Sequence, residues 1–119
     1  MKPSREYILR KTNGRCAYCG VELNGKFQVD HLEPQRPWNK HPEGFDVNHS
    51  SNLFAACASC NNYKSAYPLE HWRKMLTELV AVQLKLSSQY KIALRYGLIQ
   101  ETVKPIVFYF ETLNKPTSS

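Results

Sequence analysis

Cys16-Ala-Tyr-Cys19 and Cys57-Ala-Ser-Cys60 decide how this chain folds, because each is a tight turn that presents two thiols at metal-ligand spacing. Two such turns supply four thiolates to one tetrahedral zinc, and they use every cysteine in the sequence. The alternative is two redox-active or disulfide-forming pairs, although a redox motif would need only one pair. We therefore predict a zinc site with ligands Cys16, Cys19, Cys57 and Cys60. Four protein ligands leave no position for water, so this zinc is expected to be structural.

The segment between the two turns needs such a staple. Residues 14–62 contain few apolar runs and many Asn, Gly, Pro and His residues, so a bound metal would offset part of the entropy lost on ordering them. From about Leu69 onward, apolar residues are dense enough to pack. The chain has 119 residues, about the length of one domain. We predict a single domain over 1–119, with a motif core at 14–66 and an extension of helices and a strand at 67–113.

Local signals predict the individual elements. Ser4 is placed to cap a short helix over 5–11, which Asn13-Gly14 would end. Asn24-Gly25 favours a hairpin turn between 21–23 and 26–30. The remaining predictions are a long loop over 33–51, a strand or turn at 52–56, helices at 69–86 and 89–96 with Gly97 as C-terminal cap, and a C-terminal strand over 106–110.

The balance of charge favours an anionic partner. The formal net charge is +6 and the isoelectric point is near 9.2, as in many nucleic-acid-binding proteins. Four zinc-bound thiolates would lower the net charge to about +4. Arg15, Arg36 and Lys64 are candidate phosphate contacts, and simple solvation of each charge is equally compatible with the sequence. No secretory h-region and no stretch of about 18 apolar residues occurs, which favours a cytoplasmic protein without a membrane span.

Four sequence elements occur in a fixed order. They are Gly14-Arg-Cys-x-Tyr-Cys-Gly20, Asp30-His31-x-x-Pro34, Asn52-Leu53 and Cys57-x-x-Cys60-Asn61-x-x-Lys64. In this combination the chain resembles the HNH (ββα-metal, or His-Me finger) endonucleases, in the four-cysteine branch that includes McrA-like restriction enzymes and many phage nucleases. The resemblance implies an α+β fold with a zinc-stapled ββα-metal core, here followed by C-terminal helices and a strand.

The resemblance also implies a role for each motif residue. His31 would be the general base, since an imidazole accepts a proton at neutral pH. Asp30 and Asn61 would bind catalytic Mg²⁺ or Mn²⁺ through oxygen, and Asn52 would hydrogen-bond loop backbone and hold the His31 strand. The third family position is often His, so Asn61 makes this an H-N-N variant. Asn62 is the alternative residue for that position, but Asn61 directly follows Cys60.

The implied activity is metal-dependent hydrolysis of DNA phosphodiesters, leaving 5′-phosphate and 3′-hydroxyl ends. One site per chain would cut double-stranded DNA one strand at a time, unless a homodimer formed, for which the C-terminal strand is a candidate surface. A bacterial or phage-infected cell is the expected setting, with restriction, packaging, homing and defence all open. The alternatives are a catalytically inactive zinc module that binds nucleic acid and a protein-interaction adaptor.

Overall fold

The chain forms two compact units. The computed structural model describes residues 3–34, 41 and 43–113. The first unit, called the knuckle unit here, comprises residues 1–69 and 107–119, and the second, the helical unit, comprises residues 70–106. Both cysteine pairs belong to the knuckle unit, as do the described residues predicted for the site.

The knuckle unit begins with helix α1, Arg5–Lys11. Ser4 caps it, because its hydroxyl accepts a hydrogen bond from the Tyr7 backbone N–H at 3.1 Å. Asn13 and Gly14 follow with φ of 56° and 75°, left-handed values that stop the helix. The helix predicted over 5–11 is confirmed.

A two-stranded sheet and a helix form the centre of the knuckle unit. Strand β1, Gln28–His31, pairs antiparallel with strand β2, Leu53–Ala56, so that Asp30 lies opposite Phe54. All four β2 residues are buried. Helix α2, Ala58–Lys64, follows directly. This order of two strands and a helix around the cysteines confirms the predicted α+β class with a ββα core.

The pairing predicted between residues 21–23 and 26–30 is wrong, because β1 pairs with β2. Asn24 and Gly25 do form a turn with φ of 51° and 81°, closed by a 2.9 Å hydrogen bond from the Lys26 N–H to the Leu23 carbonyl. The preceding residues pair elsewhere, because the cysteine turn at 16–19 folds the chain back on itself. The Leu23 N–H donates to the Gly14 carbonyl at 3.0 Å, which leaves β1 to pair with the buried β2.

The helical unit carries the helices predicted over 69–86 and 89–96. Helix α3 spans Leu69–Thr77, and single π-helical and 3₁₀ turns, Leu79–Gln83 and Leu84–Leu86, replace its expected continuation. This stretch is largely exposed and contains β-branched valines, so neither packing nor propensity holds it in α geometry. Helix α4, Ser88–Arg95, is capped by Ser87, and Gly97 follows with φ of 73°. The second helix is therefore confirmed.

The C-terminal strand predicted over 106–110 is wrong. Residues 101–108 form neither helix nor strand, and a short helix α5, Tyr109–Thr112, follows. The aromatic side chains of this run pack against the first cysteine turn, and its backbone does not pair with the sheet. Phe108 is buried, and its ring packs edge-on against Tyr18 with centroids 5.5 Å apart. The proposed dimer surface on that strand loses its basis.

Among the described helices, none combines the length and the apolar character that crossing a bilayer requires.

Candidate functional site

The four cysteines meet at one point beside the sheet. Their sulfur atoms all lie within 4.8 Å of one another, and the Sγ atoms of Cys19 and Cys57 are 3.8 Å apart. A tetrahedral zinc with Zn–S bonds of about 2.3 Å requires S–S separations of about 3.8 Å. The cluster therefore fits the predicted zinc ion in both ligand type and spacing. Cys57 also caps α2, because its Sγ accepts a hydrogen bond from the Cys60 N–H at 3.4 Å.

The electrostatics of the cluster favour a cation. A hydrogen bond from the Cys60 thiol lowers the pKa of Cys16 to about 4. That same hydrogen bond raises the pKa of Cys60, and burial raises the pKa of Cys19. One thiolate in the group therefore discourages its neighbours from ionising. A divalent cation would remove this repulsion and let all four thiols bind as thiolates.

The first cysteine turn is fastened to both its neighbours in the knuckle unit. The Ala17 N–H donates to the Ala55 carbonyl on β2 at 2.8 Å. The N–H groups of Tyr109 and Phe110 donate to the carbonyls of Tyr18 and Ala17 at 3.1 and 2.8 Å. Main-chain hydrogen bonds thus hold this turn between β2 and the start of α5.

Asp30 points into the protein from β1. The residue is 7% exposed, and its Oδ2 accepts a hydrogen bond from the Tyr18 hydroxyl. The Lys64 ammonium lies 3.1 Å from the same oxygen and also donates to the His31 carbonyl at 2.9 Å. Burial, followed by the Asp30 charge, raises the pKa of Tyr18, so the phenol stays protonated and donates. The other oxygen, Oδ1, has no hydrogen-bond partner within the described ranges.

The phosphate contact expected of Lys64 must be corrected. Its side chain is fully buried and its ammonium is committed to Asp30 and the β1 backbone. A buried charge needs such a partner, because desolvation without one costs several kcal/mol. The sequence showed the charge but not which way the residue faced on α2.

Asn61 lies on the same side of β1 as Asp30. Asn61 and Lys64 are three residues apart on α2 and therefore share a helix face. The Asn61 amide nitrogen donates to the Gln28 side-chain oxygen, and Gln28 and Asp30 share a face because side chains alternate along a strand. This contact uses the Asn61 nitrogen, so its amide oxygen is the atom left for a ligand. The structure thus brings Asp30 and Asn61 to one surface of β1.

His31 has a partner of its own. Its side chain is half-buried at the end of β1, with Nε2 2.9 Å from Oδ1 of Asn48. An amide oxygen only accepts, so Nε2 carries the hydrogen and Nδ1 of the neutral ring has the free lone pair. Among the residues that the structure describes, no hydrogen bond joins this imidazole to Asp30 or Asn61. No motif pointed to Asn48, which lies inside the loop predicted over 33–51.

Asn52 ties the loop together at the start of β2. It is buried, its Oδ1 accepts from the Glu33 N–H at 2.9 Å, and its Nδ2 donates to the carbonyls of Glu33 and Val47 at 3.1 and 2.8 Å. Its own carbonyl accepts from the Leu32 N–H at 2.9 Å. These bonds fix the chain just after His31 to the residues just before β2.

Of the two arginines predicted to contact phosphate, Arg15 lies among the described residues. The guanidinium of Arg15 donates to the Gly20 carbonyl at 2.9 Å and pairs with Glu22 at 3.3 Å. It is partly exposed, so it is occupied but accessible. Arg36 lies outside the described residues.

The part of the chain that contains the cysteine cluster and the sheet is similar to a known protein family. Residues 16–66 match the model of the HNH endonuclease family. These residues are therefore similar to the HNH endonucleases. The match covers both cysteine pairs, both strands and α2, and it confirms the resemblance inferred from the motifs. This similarity supports a nuclease-type function in general.

No match was found among curated proteins. Among solved structures, the chain is similar to the Type II-C Cas9 enzyme from Actinomyces naeslundii, with 23% identity and a TM-score of 0.47. The alignment covers 85% of this chain and 11% of that one, so the chain spans about a tenth of the length of that enzyme.

Proposed function

We propose that this protein is a divalent-metal-dependent DNA endonuclease whose HNH residues are His31, Asn52 and Asn61. The observation that carries the proposal is the family match over residues 16–66, which contain all three residues and both cysteine pairs. The substrate is double-stranded DNA, cut one strand at a time because each chain has one such site. The single domain expected over 1–119 is part of this proposal.

Asp30 and Asn61 are the proposed ligands of the catalytic Mg²⁺ or Mn²⁺. Carboxylate and amide oxygens suit these hard cations, which also keep several waters and take phosphate oxygens. The fit is supported by Oδ1 of Asp30, which no described residue hydrogen-bonds, and by the shared β1 surface on which Asn61 lies. A bound cation would offset the negative charge that develops on the scissile phosphate.

His31 is the proposed general base. Its Nδ1 accepts the proton of the attacking water, because the hydrogen bond to Asn48 occupies Nε2. Half-burial restricts the ring while leaving it accessible. Asn52 acts indirectly by fixing the backbone that follows His31. A zinc ion bound by the four cysteines would hold the cysteine turns, and therefore α2 and Asn61, against the sheet.

DNA contacts come from basic residues outside this catalytic set. Arg36 is placed five residues after His31, and Arg15 keeps an accessible guanidinium beside the first cysteine turn. Contacts of this kind provide affinity with little sequence selectivity, because they reach the phosphates.

The test is nicking of a supercoiled plasmid by the zinc-loaded protein, with Mg²⁺ or Mn²⁺ and with a chelator. We expect metal-dependent nicking that His31→Ala abolishes. Asn61→Ala should raise the Mn²⁺ concentration needed for half-maximal rate, whereas the neighbouring exposed Asn62→Ala should not. Folded, zinc-loaded protein that binds DNA without nicking it under any of these metals would instead identify an inactive zinc module.

A further inference from the structure

Tyr18 connects the zinc turn to the carboxylate at the proposed active site. It stands between Cys16 and Cys19, and its hydroxyl donates to Oδ2 of Asp30. We propose that Tyr18 is a positioning residue that transmits the geometry of the zinc site to the metal-binding carboxylate of Asp30. The inference rests on the proposed function, because it assigns a role to Asp30 in binding the catalytic cation.

The phenol is held rigidly enough to serve this purpose. Tyr18 is 3% exposed, and its ring packs edge-on against Phe108 and Phe110 with centroids 5.5 and 6.2 Å away. Its backbone carbonyl accepts from the Tyr109 N–H at 3.1 Å. With both ring and main chain fixed, the hydroxyl has little freedom to follow Asp30. Instead, Asp30 is oriented by the hydroxyl.

Two donors on one carboxylate oxygen determine which oxygen can bind a cation. Tyr18 and Lys64 both contact Oδ2, which leaves Oδ1 as the oxygen for a cation. Asp30 is therefore presented as a one-oxygen ligand with its plane fixed. Partners that orient a metal-binding carboxylate typically contribute about 10- to 100-fold to metal affinity or activity.

The two donors are attached to different cysteine turns. Tyr18 lies within the first pair, and Lys64 lies four residues after Cys60 on the helix that Cys57 caps. A zinc ion that fixes the four sulfur atoms would therefore also fix both donors relative to Asp30. Zinc bound there would thus position Asp30 through two side chains, in addition to stabilising the fold.

Tyr18→Phe is the decisive variant, because it keeps the ring and removes only the hydroxyl. The measurements are zinc content, Mn²⁺ binding to the zinc-loaded protein by electron paramagnetic resonance, and plasmid nicking as a function of Mn²⁺ concentration. Tyr7→Phe, which alters a 45% exposed tyrosine on α1, is the matched control. We expect normal zinc content and DNA KM in Tyr18→Phe, with Mn²⁺ bound about 10- to 100-fold more weakly. Added Mn²⁺ should restore much of the nicking rate.

The outcomes separate this inference from the proposed function. Wild-type nicking, together with unchanged Mn²⁺ affinity in folded Tyr18→Phe, overturns the positioning role and leaves the nuclease intact. A wild-type protein that neither binds Mn²⁺ nor nicks DNA overturns both. If Tyr18→Phe loses zinc or unfolds, the hydroxyl supports the fold and not Asp30 specifically, and the inference is wrong.

Discussion

The Lys64 ammonium and the Asp30 carboxylate form a buried ion pair at 3.1 Å that joins α2 to β1. Lys64 is fully buried and the Asp30 side chain is 8% exposed. Water therefore could not solvate either charge well if its partner were removed. Removing one member leaves the other charge buried and uncompensated. This asymmetry gives the first prediction.

Lys64→Met should lower the free energy of unfolding by about 3–5 kcal/mol, as measured by urea denaturation of the zinc-loaded protein. Adding Asp30→Asn to it should recover part of the loss, because the orphaned charge is then gone. Lys85→Met is a suitable control, since Lys85 is half-exposed and lies 3.7 Å from Glu101 in a surface pair worth little. A double variant no more stable than Lys64→Met alone would contradict the ion-pair explanation.

Zinc affinity should fall as the pH falls. In the metal-free cluster the pKa values of Cys19 and Cys60 are raised, so both thiols are protonated at neutral pH. Zinc binds thiolates and must displace these protons. Each displaced proton makes the dissociation constant rise about tenfold per unit of pH decrease, so Cys19 and Cys60 alone contribute about 100-fold.

Competition with a chromophoric chelator between pH 6 and 8 measures this slope. Proton release on adding zinc to weakly buffered protein measures the stoichiometry independently. Cys19→Ser removes one displaced thiol proton and should flatten the slope. A zinc affinity that does not change with pH would show that the thiols were already ionised.

The sequence predicted best those features that depend on neighbouring residues. Ser4 and Asn13-Gly14 define α1 through contacts within a few positions, and the spacing in each C-x-x-C turn determines which atoms face the metal. The zinc ligands therefore follow from spacing alone. The same is true of Ser87 and Gly97 at the ends of α4.

The features that the sequence did not predict depend on distant partners. Asn24-Gly25 forms its turn, but which strand pairs with β1 depends on where the cysteine turns place β2. The 106–110 run has the composition of a strand, yet Phe108 packs on Tyr18, and the run does not join the sheet. The facing directions of Lys64 and Asn48 likewise depend on β1, which is far away in sequence.

Asn52→Ala should destabilise the knuckle unit by about 2 kcal/mol, because it deletes three hydrogen bonds to loop backbone. Nicking should also slow at saturating Mn²⁺, since the chain after His31 is no longer fixed. Asn62→Ala, at an exposed position on α2, should change stability by no more than about 0.5 kcal/mol. Wild-type stability with reduced nicking would instead place Asn52 in direct contact with substrate.

Phe108→Ala should weaken the zinc site although Phe108 is not a ligand. Its side chain is 2% exposed and packs on Tyr18, so truncation should cost about 3–5 kcal/mol. The loss loosens the first cysteine turn and should increase the rate at which a chelator removes zinc. Val107→Ala, at an adjacent position that is 55% exposed, is the matched control. If both variants release zinc at the wild-type rate, the aromatic cover does not support the metal site, and Tyr18 is held by its main-chain hydrogen bonds alone.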